Sequence, residues 1–404
     1  MRPALFKFAL TGLLASLTVQ LLAAVPAPPR LGAAAWLLAD ADSGRILAQH
    51  NIHSQVSPAS LTKLMTSYVV AHEIKEGRLS REDEVLVSRN AWRTEGSRMF
   101  LEPDTWVPLV DILKGIIIQS GNDASVAVAE HISGSEDEFS NLMNRQAQRL
   151  GLENSLFLNS TGLPLENHVS TAHDMYQLAR ALIYDFPIHY QTYSEKFFTY
   201  GKDYRTGEPI TQRNRNRLLW SDPSVDGIKT GHTQESGYNL VASAKRQGMR
   251  LISVVIGSSS DDGRIQDTQR LFTYGFRFFE TVSILDAAEE IKPRPAIWGG
   301  VKSSVPMGSN SPVWVTLPRG QQDNLLAEVK LDEDLWAPIE KNSQIGVLQV
   351  SVGTEIVAEI PVVALDSVKA SGLIRRGIDR MEWLVISSVK WTWELMGKAV
   401  DVLW

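Results

Sequence analysis

Apolar and polar positions change their period several times along the 404 residues. Residues 8–22 form an apolar run behind Arg2 and Lys7, followed by small residues at Ala23, Ala24 and Ala27 and by Pro26, Pro28 and Pro29. A basic start, a short apolar stretch and small residues near a cut predict a secretory leader over residues 1–27, because a membrane span needs about 20 apolar residues. Residues 34–39 and 45–49 then read as strands joined by Asp40-Ala41-Asp42-Ser43-Gly44, a hairpin. From Leu61 the period becomes helical, with Leu64, Met65, Tyr68, Val69 and His72 on the same side, which predicts a buried helix with a rigid first turn.

Helical patterns dominate residues 109–184, where Phe139, Leu142, Met143, Ala147 and Leu150 make one apolar face and residues 174–182 another helix. Strand-like runs return at 226–233, 237–244 and 249–257. These strands and the first hairpin are expected to form one antiparallel sheet, flanked by the all-α region and by helices that include residues 267–281. After about residue 286 prolines and glycines punctuate short alternating runs at 313–317, 325–331, 345–351 and 354–360, a small β-rich domain with no catalytic constellation. The predicted organisation is a leader (1–27), a main α/β domain (28–285), a β domain (286–366), and a linker with a terminal amphipathic helix (367–404).

In that terminal segment Ile374, Ile378, Met381, Val385, Val389, Met396, Val400 and Leu403 share one helical face. Arg376, Asp379, Arg380, Lys390, Glu394, Lys398 and Asp401 share the other. Trp383, Trp391, Trp393 and Trp404 suit a membrane interface. Charges every few residues forbid spanning, so the expectation is a helix lying in the plane of a membrane surface; the alternative is a helix docked on its own protein.

Composition adds exclusions. With 44% hydrophobic and 21% charged residues the chain can fill more than one core. A formal charge of −6 and the lack of a basic block argue against nucleic acid as a partner. Cysteine is absent, which removes disulfides, thiol catalysis and cysteine-ligated zinc. The eight histidines show no zinc-protease spacing, so neither a metal nor another cofactor is expected.

The candidate chemistry begins at Ser60-Leu61-Thr62-Lys63. A lysine three residues after a serine on a helix lies one turn away on the same face, where it can serve as the base that a serine nucleophile needs. To accept a proton it must be neutral, so its pKa has to fall through burial or a neighbouring positive charge, and a second cation is expected nearby. Alone, the tetrapeptide is a weak signal that reads more readily as a helix cap and a solvated lysine. Two further stretches change that: Ser120-Gly121-Asn122 between apolar segments, and Lys229-Thr230-Gly231-His232-Thr233 in a strand-like run.

Three such motifs in this order, within 58–66, 115–124 and 226–233, resemble those of the penicillin-binding serine D-Ala-D-Ala carboxypeptidases of low molecular mass that have a membrane-anchoring C-terminus. The resemblance implies the penicilloyl-serine transferase fold, an α/β arrangement with an antiparallel sheet, helices on both sides and an all-α region. It implies that Ser60 attacks the penultimate D-alanine carbonyl of the peptidoglycan pentapeptide, with Lys63 as base, Ser120 relaying the proton and Asn122 holding Lys63 and the substrate amide. It assigns Lys229 as the second cation and the backbone N–H groups of Ser60 and His232 as oxyanion donors. Gly231 would let the substrate approach, and the terminal carboxylate would meet Thr230 and Lys229, with Arg215 and Arg264 adding positive charge. β-Lactams would inhibit, and the enzyme would be exported to the periplasmic face of the inner membrane, held at that surface by its C-terminal helix. A class A β-lactamase would add a Glu-x-x-Leu-Asn motif; Glu153-Asn154-Ser155-Leu156-Phe157 matches except at its last residue. A non-catalytic sensor or scaffold that binds wall peptides is the other alternative.

Overall fold

The computed structural model describes residues 25–202, 206–332 and 334–401, with side chains as far as residue 388. The apolar run of the expected leader and the side chains of Val389, Trp391, Trp393, Met396, Val400, Leu403 and Trp404 lie outside the described residues.

The main domain is built on a five-stranded antiparallel sheet in the order Ile46–His50, Ala35–Asp40, Met249–Ser258, Gly237–Arg246, Val225–Thr233. The N-terminal hairpin therefore pairs with the last strand, as Leu37 opposite Val254 and Ala39 opposite Ile252 illustrate. Both faces are covered. Leu37, Val241, Ile252 and Val254 enter the larger core with the helical region, whereas Leu38, Leu240, Leu251 and Val255 pack under the helix Asp261–Phe278. Burial on both sides is why these strands read as near-continuous apolar runs rather than as a clean alternation.

The helix Lys63–Lys75 crosses the larger core and is buried nearly all round, from Leu64 and Met65 to Val70 and Ala71. A helix with no solvated stripe belongs inside a domain, and its polar side chains must then find partners there. They do: the Thr66 hydroxyl donates to the Ser160 carbonyl (2.7 Å), the Tyr68 hydroxyl to Asp185 (2.7 Å), and Ser67 bonds the His189 ring (2.6 Å).

The structure differs from the sequence expectation in several places. Helices occupy Leu109–Lys114, Asn122–Ser133, Glu136–Arg149 and Ala172–Asp185, but residues 150–171 are irregular. That segment turns inward and bonds the Lys63 helix, a tertiary demand that overrides local periodicity. The helix expected over 267–281 begins earlier, where Ser260 caps it by accepting from Gly263 N–H (3.0 Å), and it stops at Phe278. A strand Phe279–Leu285 follows and pairs with Val313–Pro318, ahead of residue 286 where the sequence changes character. Two hairpins escape notice in the sequence: Glu84–Leu86 with Trp106–Pro108, and Phe197–Lys202 with Pro209–Arg213.

The β domain has a four-stranded sheet, Met307–Gly308, Glu355–Ala364, Gln344–Val352 and Leu325–Leu331, over a core that includes Val305, Val315, Leu317, Val350 and Val362. Its junction with the main domain is polar. The buried Asp40 carboxylate accepts from Ser43 N–H (2.7 Å), Ser43 Oγ (2.9 Å) and Thr281 Oγ1 (2.7 Å). Ser43 Oγ lies 2.6 Å from Thr316 Oγ1, and Arg45 donates to the Thr316 carbonyl (2.7 Å). Hydroxyls from both domains thus converge on one carboxylate.

The terminal helix Leu373–Asp401 touches the β domain through one side. Asp379 accepts from Gly299 N–H (2.8 Å), and Trp383 donates to Asp334 (2.6 Å) while its ring meets Trp336 edge-on at 5.9 Å. Ile374, Ile378, Met381 and Val385 remain more than half exposed. Among the described residues, no helix is long and apolar enough to cross a membrane.

The Asp40 junction yields a direct test. Asp40→Ala removes the acceptor of two half-buried hydroxyls and of the Ser43 N–H and should lower the unfolding free energy by about 1–3 kcal/mol, with Asp40→Asn costing less because its amide oxygen still accepts. Denaturant unfolding of the three proteins checks this; an unchanged midpoint for Asp40→Ala would show the junction to be unimportant for stability.

Candidate active site

Ser60 lies in a tight turn, Ala59–Thr62, that leads into the Lys63 helix. Ala59 has φ +48°, a left-handed conformation costing a non-glycine residue about 1–2 kcal/mol. Its surroundings force it. A Cβ at Gly231 would come within 3.2 Å of the Leu61 nitrogen and the Pro58 oxygen, so the edge strand Val225–Thr233 passes directly against the turn only because glycine stands there. A Cβ at Gly162, on the other side, would run into the Ala59 carbonyl. Clamped in this way, the turn leaves Ser60 half-buried while Leu61, Thr62 and Lys63 are fully buried.

Lys63 is 1% exposed, and its Nζ has three neighbours: Ser60 Oγ at 3.3 Å, Asn122 Oδ1 at 2.7 Å and the Thr161 carbonyl at 2.5 Å. Two of these can only accept. A neutral amine has two hydrogens and one lone pair, so serving Asn122 and Thr161 directs the lone pair toward the Ser60 hydroxyl. Burial pushes the Lys63 pKa down to about 7, and the negative charges of Asp123 and Glu136 oppose that fall. The expected second cation is present, but burial is what lowers Lys63.

Lys229, on the edge strand, donates to Ser120 Oγ (2.9 Å) and to the Thr230 carbonyl (3.0 Å). Burial, and then the positive charges of Lys63, Arg215 and Arg264, hold it well below the ordinary lysine range. Ser120 accepts from Lys229 and keeps its own proton to donate. It ends a π-helical turn, Gly115–Gln119, in a left-handed conformation with φ +66°. Asn122 opens the next helix; its N–H donates to the Ser97 carbonyl (2.7 Å) and its Nδ2 to the Glu95 carbonyl (2.6 Å), which leaves Oδ1 for Lys63.

Three of the remaining expected residues, Arg215, His232 and Arg264, line a cavity of about 920 Å³ beside the edge strand, together with Tyr238 and others. Arg215 is exposed between Asn214 and Asn216, two buried amides that anchor it by bonding the Glu195 and Gly227 carbonyls (2.9 Å each). Arg264 is 7% exposed and already engaged: it donates to the Gly231 carbonyl (2.9 Å) and the Asn239 carbonyl (3.1 Å) and pairs with Asp261. It therefore holds the strand in place as well as adding charge. His232 is exposed, its ring 4.1 Å from that of Tyr238, and Thr230 is buried beside Lys229.

Glu153, the near-match to a deacylating glutamate, is exposed on the turn after the helix Glu136–Arg149. Sequence reasoning missed the loop Asn159-Ser160-Thr161-Gly162. Asn159 Oδ1 accepts from Thr161 N–H (3.1 Å) and Gly162 N–H (2.7 Å), folding the loop so that its carbonyls reach Lys63 and Thr66. Glu136 in turn accepts from Ser160 N–H (2.9 Å) and Oγ (2.6 Å). The available signal was four turn-forming residues in a row inside a supposedly helical block.

Comparison with known proteins agrees with this geometry. The D-alanyl-D-alanine carboxypeptidase family matches residues 23–260, and the penicillin-binding protein 5 C-terminal domain matches residues 279–370. The chain is 42% identical to D-alanyl-D-alanine carboxypeptidase DacC of Escherichia coli over 381 residues, 92% of this chain and 91% of that protein. It is 40% identical to DacA of the same organism over 363 residues, 88% of each. Penicillin-binding protein 5 from Haemophilus influenzae superposes with a TM-score of 0.81 at 40% identity, over 85% of this chain and 99% of that one. Penicillin-binding protein D2 from Listeria monocytogenes, solved with ampicillin bound, superposes at 0.55 with 28% identity, over 61% of this chain and all of that one. Matched over most of its length and carrying a serine turn, buried lysine and edge strand in this arrangement, the chain belongs to the D-alanyl-D-alanine carboxypeptidase family.

Proposed function

We infer that the protein is a serine carboxypeptidase that removes the terminal D-alanine from peptidoglycan stem peptides through an acyl-enzyme on Ser60, and that β-lactams block it by acylating the same hydroxyl. The observation that carries this is Lys63, buried and bonded to two obligate acceptors so that its lone pair is left for Ser60. Lys63 takes the Ser60 proton as Oγ attacks the penultimate carbonyl. Ser120, which accepts from Lys229, passes a proton to the leaving amine. The substrate lies as an added strand beside Val225–Thr233, which among the described residues has a sheet neighbour on one side only, and the backbone N–H groups of Ser60 and His232 receive the oxyanion. Its carboxylate meets Thr230, Lys229 and the exposed Arg215, while Arg264 contributes mainly by fixing the Gly231 carbonyl.

The exposure of Glu153 weighs against a β-lactamase, which needs a carboxylate next to the acyl-serine. For location, the basic-apolar-small pattern of residues 1–27 supports export, and the exposed apolar face at Ile374, Ile378, Met381 and Val385 supports attachment to the periplasmic side of the inner membrane.

Four outcomes test this reading. Ser60→Ala should abolish both covalent labelling by a penicillin and D-alanine release; a labelled Ser60→Ala protein sinks the assignment. Lys63→Arg keeps the charge but cannot deprotonate, and should cost about 10²–10⁴ in kcat/KM. In the wild type, kcat/KM should rise with pH through about 7, because only the form of Lys63 that has lost its proton owns a lone pair. A flat profile across that range would remove Lys63 as the base. Ending the chain after Lys369 should give an enzyme that still releases D-alanine but no longer sediments with lipid vesicles; retention on vesicles would refute the helical attachment.

A further inference from the structure

Beside the second motif stands an aromatic shelf that the peptide chemistry above leaves unused. Phe100 has φ +70° and is 54% exposed, an unusual state for a bulky ring. It is imposed by Asp123, a buried carboxylate next to Asn122 that collects the N–H groups of Met99 (3.0 Å), Phe100 (3.0 Å) and Leu101 (3.1 Å). Three charge-assisted bonds fix the backbone so that the ring points into water, where hydrophobic burial alone would not leave it. Trp92, on the short helix Arg89–Arg93, is 42% exposed. Both rings line a cavity of about 560 Å³ together with Arg98, Glu102, Lys202 and Ile210.

We propose that this cavity is a subsite for the N-acetylated sugars of the glycan strand that carries the stem peptide. A pyranose ring has an apolar C–H face and a rim of hydroxyl and acetamido groups, so it needs flat apolar surface with hydrogen-bonding groups of both kinds at the edge. Phe100 and Trp92 supply the surface; Arg98 and Lys202 donate, and Glu102 accepts. A lipid or wholly apolar peptide would gain nothing from three charged groups at the rim, and a nucleic acid would be repelled by Glu102 on an acidic chain. A stem peptide of five extended residues reaches about 17 Å, so its sugar end stays within that distance of the scissile bond. The shelf is also fastened to the catalytic wall, through Asn122 N–H on the Ser97 carbonyl (2.7 Å) and Gln212 Nε2 on the Arg98 carbonyl (2.9 Å).

The proposal rests on the carboxypeptidase reading, and its test separates the two. Full-length Ser60→Ala protein is titrated with peptide-free oligosaccharides of alternating N-acetylglucosamine and N-acetylmuramic acid, followed by saturation-transfer NMR. Binding is expected, weakened about tenfold by adding Trp92→Ala or Phe100→Asn, the latter chosen because asparagine tolerates the left-handed backbone. In the active enzyme the same two substitutions should lower kcat/KM about tenfold on pentapeptide attached to glycan and leave a free acetylated pentapeptide within about twofold. Absence of oligosaccharide binding overturns the subsite, as does an equal loss on both substrates; a protein occupant would leave both sugar readouts unmoved and counts against it likewise. If the wild type releases no D-alanine from free pentapeptide, the catalytic reading fails, while the Ser60→Ala titration still decides the subsite.

Discussion

Everything at the catalytic centre answers to the cost of keeping an amine in the protein interior. Lys63 is sealed from water, and a buried ammonium is tolerated only where acceptors replace its hydration. Here they are an amide oxygen from the second motif and a main-chain carbonyl from the loop 159–162, two segments brought in from 59 and 98 residues away along the chain. Both must be held against the same helix, so the helix itself is enclosed on every side. The same enclosure lowers the lysine toward neutrality. The packing that makes the site stable and the basicity that makes it reactive have one cause.

The two lysines are set apart by their surroundings. Asp123 and Glu136 draw Lys63 back up from the full effect of burial, leaving it at about 7, where loss and gain of a proton are both accessible. Lys229 has cations as its charged neighbours, Lys63, Arg215 and Arg264, and no carboxylate opposes its fall. Its hydrogen bond to Ser120 instead orients a hydroxyl. The carboxylates Asp123 and Glu136 therefore set Lys63, the proposed base, apart from Lys229, which holds the proposed proton donor.

How much of this was legible in the sequence follows from the range of each interaction. Ser60 and Lys63 are one helical turn apart, and the central strands carry their apolar residues in unbroken runs, so local pattern was enough to place both. The motif Lys229-Thr230-Gly231 was visible too, although the reason for Gly231 was not, since its constraint is the passage of a strand against Pro58 and Leu61. Residues 150–171 were misread as part of a helical block because what shapes them is distant: Asn144 accepts from Phe157 N–H (2.9 Å), Glu136 binds Ser160, and His168 bonds Thr62 (2.8 Å). Arg264 was expected only to add positive charge, and the fold shows its two terminal nitrogens engaged by two strand carbonyls and Asp261.

Backbone strain marks the residues where these long-range demands meet. Ala59, Phe100 and Ser120 all adopt left-handed conformations without being glycine, and each flanks a group at or beside the cleft. At about 1–2 kcal/mol apiece they would not persist on local preference, so each must be over-determined by neighbours. For Ala59 these are Gly162 and the turn facing Gly231; for Phe100 it is the Asp123 carboxylate; for Ser120 it is a π-helical turn on one side and the Asn122 helix on the other. With these turns the Ser60 hydroxyl lies beside Lys63, the Ser120 hydroxyl beside Lys229, and the Phe100 ring in water. A helix or strand continued through any of these positions would aim the side chain elsewhere, which is why the chain departs from regular structure at these points while the scaffold around them stays regular.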